Sequence, residues 1–78
     1  MPRVFSHGKY AVYVFDERGQ PHHSPHAHIK HGSYRVASIN LVTLNLFDQI
    51  ERLPASMLDA IKEHHDALVA KWEELNNG

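Results

Sequence analysis

Two histidines one residue apart, in Pro25-His26-Ala27-His28, are the most chemically pointed feature of this 78-residue chain. In an extended segment residues i and i+2 face the same side, so His26 and His28 present two imidazoles together. Two chemistries suit such a pair. As neutral ligands the imidazoles can chelate zinc or another divalent transition metal, with His64 as the third ligand or His65 in its place. No Asp or Glu lies in the immediate segment to complete a two-histidine, one-carboxylate set; the nearest are Asp16 and Glu17. As proton carriers, with an unperturbed pKa of ~6.5, the same imidazoles can serve as base and acid with no cofactor. Metal-independent RNA cleavage needs a base for the 2′-hydroxyl, an acid for the leaving oxygen and a cation for the phosphate. His26, His28 and His64 are the candidates for the proton roles. Lys30, on the face of His26 and His28, and Arg35, across the Gly32-Ser33 turn, are the candidates for the phosphate. Plain structural roles also suit these residues: a satisfied polar histidine in a short strand, and ordinary solvated hairpin charges.

Composition narrows the classes. The eight histidines lie at positions 7, 22, 23, 26, 28, 31, 64 and 65, too scattered for a purification tag. The absence of cysteine excludes disulfide scaffolds, zinc fingers, iron–sulfur sites and thiol nucleophiles. A net charge of −1 gives no global attraction to nucleic acid, so RNA binding would have to come from a local patch. No apolar run approaches the ~20 residues of a membrane span, and MPRVFSHGKY lacks the apolar stretch of a secretory signal. The expected location is the cytoplasm. The length suits one domain, residues 1–78, and a core this small supplies only ~3–5 kcal/mol. Without disulfides, a homodimer or a partner protein is the expectation.

The elements that must position these residues follow from pattern. Lys9 to Phe15 (KYAVYVF) reads as a strand apolar on both faces, with Tyr10, Tyr13 and Phe15 assigned to the core. Asp16 to Gly19 reads as a turn, and Gln20 to Pro25 as irregular. A second strand is expected over His26 to His31, a two-residue turn at Gly32-Ser33, and a third strand from Tyr34 to about Leu41. Leu44 to Leu53 is a connection whose Leu46, Phe47 and Ile50 pack down as it crosses. Pro54 suits a helix's first turn, and Ser56 with Asp59 resembles a capping box. One helix then runs to about Leu75, with Leu58, Ile61, His65, Leu68, Trp72 and Leu75 as its buried stripe. The expected fold is α+β: a small antiparallel three-stranded sheet covered by one C-terminal helix, β-β-β-α.

The run PHAHIKHGSYRVASI, then Leu53-Pro54, then His64, Leu68 and Trp72 in the pattern HxxxLxxxW, resembles a family of short bacterial proteins known as domain of unknown function 4160. The resemblance covers nearly the whole chain. Pro25, His26 and His28 fall on the family's PHxH, Ile29 on its apolar residue, and His64, Leu68 and Trp72 on its helix. Ser24 replaces the first proline of the usual PPH, and the residues around His22-His23-Ser24 look inserted. The resemblance implies a toxin-like component of a toxin–antitoxin-like gene pair. Its expected partner is a small antitoxin-like protein of the family called domain of unknown function 2442. By analogy with other small sheet-and-helix toxins, it implies a ribonuclease.

Overall fold

In the computed structural model, residues 3–16 and 24–76 are described. The expected Asp16–Gly19 turn, apart from Asp16, and the His22-His23 pair lie outside them. The chain order is β1 (Arg3–His7), β2 (Tyr10–Tyr13), β3 (His26–His31), β4 (Tyr34–Asn40), β5 (Leu46–Phe47), α1 (Ala55–Glu63) and α2 (His65–Asn76). The sheet is an antiparallel meander of five strands in sequential order, β1-β2-β3-β4-β5. This corrects the expected three-stranded sheet with one helix: the described residues form five strands followed by two helices.

Each difference has a local cause. β1 forms because Gly8 adopts φ 59° and closes a two-residue turn that pairs His7 with Tyr10. Gly32, at φ 66°, does the same between His31 and Tyr34. β5 hangs on Asn40 rather than on a glycine or proline. The Asn40 side-chain oxygen accepts from the backbone N–H of Val42 and Thr43, and Leu44 turns left-handed at φ 62°. The chain then returns so that Ser38 pairs with Phe47 and Ile39 with Leu46. The helix breaks at His64, whose backbone sits at φ −100°, ψ 12°. Its Nδ1–H donates to the Ala60 carbonyl at 2.9 Å, and its backbone N–H is shared between Ala60 and Ile61 at 3.1 and 3.2 Å. A side chain that competes for a ladder carbonyl is a recognised cause of helix kinking.

One sheet face packs on the helices. Val12, Val14, Ala27, Ile29, Ala37 and Ile39 are buried there against Met57, Ile61, Leu68 and Trp72. The helical stripe therefore runs through Met57 rather than Leu58, which is only partly buried. Ile50, expected to pack down, is 72% exposed. Pro54, expected in the first turn, is instead the N-cap in extended geometry, and no side chain caps the helix. Ser56 instead meets His7 Nε2 at 3.3 Å. Among the described residues no helix is long and apolar enough to cross a membrane.

Candidate functional site

The alternation of β3 leaves Ala27 and Ile29 buried and turns His26, His28 and Lys30 to the opposite face. Register carries that face across the sheet: Tyr13 opposes His28, Arg3 opposes Tyr13, and Ser38 and Asn40 oppose His28 and His26. A bulge between Ile29 and Lys30 brings Arg35 opposite Lys30. Tyr10 is core, as expected, at 5% exposure. Tyr13 and Phe15 are not core residues; both are half-buried.

The site is a row of rings. His26 and His28 have centroids 5.2 Å apart, nearly edge to face. His28 meets Phe15 at 5.1 Å, and Phe15 lies parallel to Tyr13 at 5.9 Å. On the other side His26 meets Phe47 at 6.0 Å and the α2 indole of Trp72 at 5.1 Å. The Lys30 ammonium lies 5.2 Å from the centre of the Tyr13 ring. Arg35 donates to Ser38 Oγ at 3.1 Å and to the Asp48 carbonyl at 3.4 Å, and the backbone bond from Ile50 N–H to the Val36 carbonyl holds the segment after β5 alongside β4. Beside His26 opens a cavity of about 400 Å³ lined by Ser24, His26, Asn40, Phe47 and Asp48. That volume lies in the range of small-molecule and substrate sites.

The His26 Nδ1–H donates to the Ser24 carbonyl at 2.8 Å. That bond fixes the tautomer when the ring is neutral, so Nε2 carries the lone pair. This is the arrangement a general base requires.

His64 does not join the pair. Its ring stacks on Phe5 at 4.0 Å and 9°, and Phe5 sits opposite Val12, on the helix-covered side of the sheet. His65 donates through Nε2 to the Leu41 carbonyl. Among the described residues no group of three or more His, Asp or Glu side chains is placed to hold a metal ion. The structure thus gathers His26, His28, Lys30 and Arg35 on one face and puts His64 elsewhere.

Sequence reasoning missed Phe47, Asn40 and Asp48 in the site, because the Asn40-built turn that delivers them carries no glycine or proline signal. It also missed a second cluster, at the other end of β3 and on the helix-covered face. There Glu51 accepts from Tyr10 at 3.1 Å and Tyr34 at 3.2 Å and lies 3.4 Å from His31 Nδ1. Partial burial pushes the Glu51 carboxyl up. The two phenol hydrogen bonds and the charges of His31 and Lys9 outweigh it and hold the group below the usual carboxylate range. Burial, and then Glu51 itself, raise both Tyr10 and Tyr34 above the ordinary tyrosine value.

With this geometry in place, the chain is a small α+β protein with a meander sheet, helices on one face and a histidine–aromatic row on the other, whose His26 end reaches Trp72 of α2. Comparison with known protein families, curated proteins and solved structures gives no match.

Proposed function

We propose that this protein is the toxin-like component of a bacterial type II toxin–antitoxin module and acts as a metal-independent endoribonuclease. The observation that carries the reading is the His26–His28 pair, with rings 5.2 Å apart and Lys30 and Arg35 on the same face. Nε2 of His26 takes the proton of a 2′-hydroxyl as its oxygen attacks the adjacent phosphorus. The bond from phosphorus to the 5′-oxygen breaks, and His28, as the imidazolium, gives that oxygen its proton. The products are a 2′,3′-cyclic phosphate and a 5′-hydroxyl. Lys30 and Arg35 offset the charge that builds on the phosphate oxygens. His64 has a structural role in this scheme.

The proposed setting is cytoplasmic, beside an antitoxin-like partner of the domain of unknown function 2442 family, as the family resemblance implies. Expression of the chain without that partner is expected to slow bacterial growth, and His26→Ala or His28→Ala to restore it. Normal growth with the folded wild-type chain present would sink the toxin reading.

A further inference from the structure

The charges of this protein are segregated in a way its net charge hides. None of the five strands contains an aspartate or glutamate. The helices carry Asp59, Glu63, Asp66, Glu73 and Glu74 against only Lys62 and Lys71. The strand cations Arg3, Lys30 and Arg35 share the face opposite the helices, and Asp48 stands at its margin, lining the cavity.

On the same face the half-buried Tyr13 of β2, Phe15 just beyond it and the 41%-exposed Phe47 of β5 flank the histidine pair. Aromatic side chains interleaved with cations on a carboxylate-free sheet match an unpaired nucleic-acid strand. Its bases have exposed faces to stack, and its phosphates need neutralising. An A-form duplex keeps its base faces inside the stack, where aromatic side chains cannot reach them. We infer that the ligand of this face is single-stranded RNA, laid across β3 and β5 with a base on Phe47 and phosphates toward Lys30 and Arg35. The inference rests on the site proposed for cleavage, but it concerns binding and is tested separately from catalysis.

The test is fluorescence anisotropy with a short unstructured RNA strand made uncleavable by 2′-O-methyl groups, compared with a hairpin duplex of the same chemistry. The single strand is expected to bind at least about tenfold more tightly than the duplex. Loss of one stacking platform in Phe47→Ala is expected to weaken single-strand binding by roughly five- to a hundredfold. Lys30→Ala is expected to weaken it and to flatten its salt dependence. Lys62→Ala, on the helix side, should change neither. Equal or tighter duplex binding would overturn the inference, as would binding indifferent to Phe47→Ala and Lys30→Ala. Absence of binding to either probe, the result expected if a protein occupies this face, would overturn it too. Tight single-strand binding without cleavage of the matching 2′-hydroxyl strand would uphold this inference and remove the acid–base scheme.

Discussion

His64 is a candidate catalytic residue by sequence and a structural one by geometry, and His64→Ala separates the two. Two interactions are lost. The ring stacked on Phe5 at 4.0 Å contributes about 0.5–1.5 kcal/mol as an aromatic pair. The half-buried Nδ1–H bond to Ala60 contributes about 0.5–1.5 kcal/mol net. Against their sum, alanine's better helix propensity returns up to about 0.7 kcal/mol, and less at a residue held at φ −100°, ψ 12°. A net cost near 1.5 kcal/mol follows, a large share of the ~3–5 kcal/mol such a core supplies. At roughly 4–8 °C per kcal/mol, Tm should fall by about 6–12 °C. The assay pairs thermal unfolding by circular dichroism with RNA cleavage well below Tm. His64→Ala should lose stability and keep its cleavage rate, and His26→Ala should keep its fold and lose a hundredfold or more of the rate. An unshifted Tm with cleavage abolished in His64→Ala would refute the reasoning.

Leu68 is fully buried against the sheet, so Leu68→Ala should cost about 2–5 kcal/mol and leave much of the chain unfolded at physiological temperature, measurable by urea titration. Because folding favours the ionised Glu51 carboxylate, its contribution is complete above the ordinary carboxylate pKa and is lost as pH falls through the lowered value. Wild-type stability should therefore drop in acid more steeply than that of Glu51→Gln, read from unfolding midpoints across the acid range. Folding favours neutral Tyr10 and Tyr34, so their contribution holds below the ordinary tyrosine pKa and is lost as pH rises through the raised values. Glu51→Gln should bring both phenols back toward 10.0, visible as earlier phenolate absorbance in an alkaline titration.

The parts of the fold that were legible in sequence are those with strong local signals. HAHIKH-GS-YRVASIN alternates and turns at a glycine, and it forms the β3–β4 hairpin as read. The helical stripe through Ile61, Leu68 and Trp72 is buried as its period requires. β1 escaped because RVFSH is short and ends in polar residues, and its pairing depends on Gly8, whose φ no pattern displays. β5 escaped because its turn is made by the side chain of Asn40 and a left-handed Leu44, a residue type that seldom adopts that conformation. The site was half legible for the same reason. Period-two spacing puts His26, His28 and Lys30 together. Bringing Phe47 to His26 took a meander turn, and moving His64 to the far side of the sheet took the packing of α1 and α2. Tyr13 and Phe15 differ from the core expected of them because KYAVYVF is apolar on both faces, and only the position of the helices decides which face is covered.

The most direct test of the central claim is cleavage of a short unstructured RNA by the purified protein, with product ends identified by mass spectrometry. The account predicts fragments ending in a 2′,3′-cyclic phosphate, formed at an unchanged rate in the presence of a metal chelator. It also predicts a loss of about a hundredfold or more in each of His26→Ala and His28→Ala. Intact RNA after incubation with folded wild-type protein would contradict it, as would cleavage that survives both substitutions.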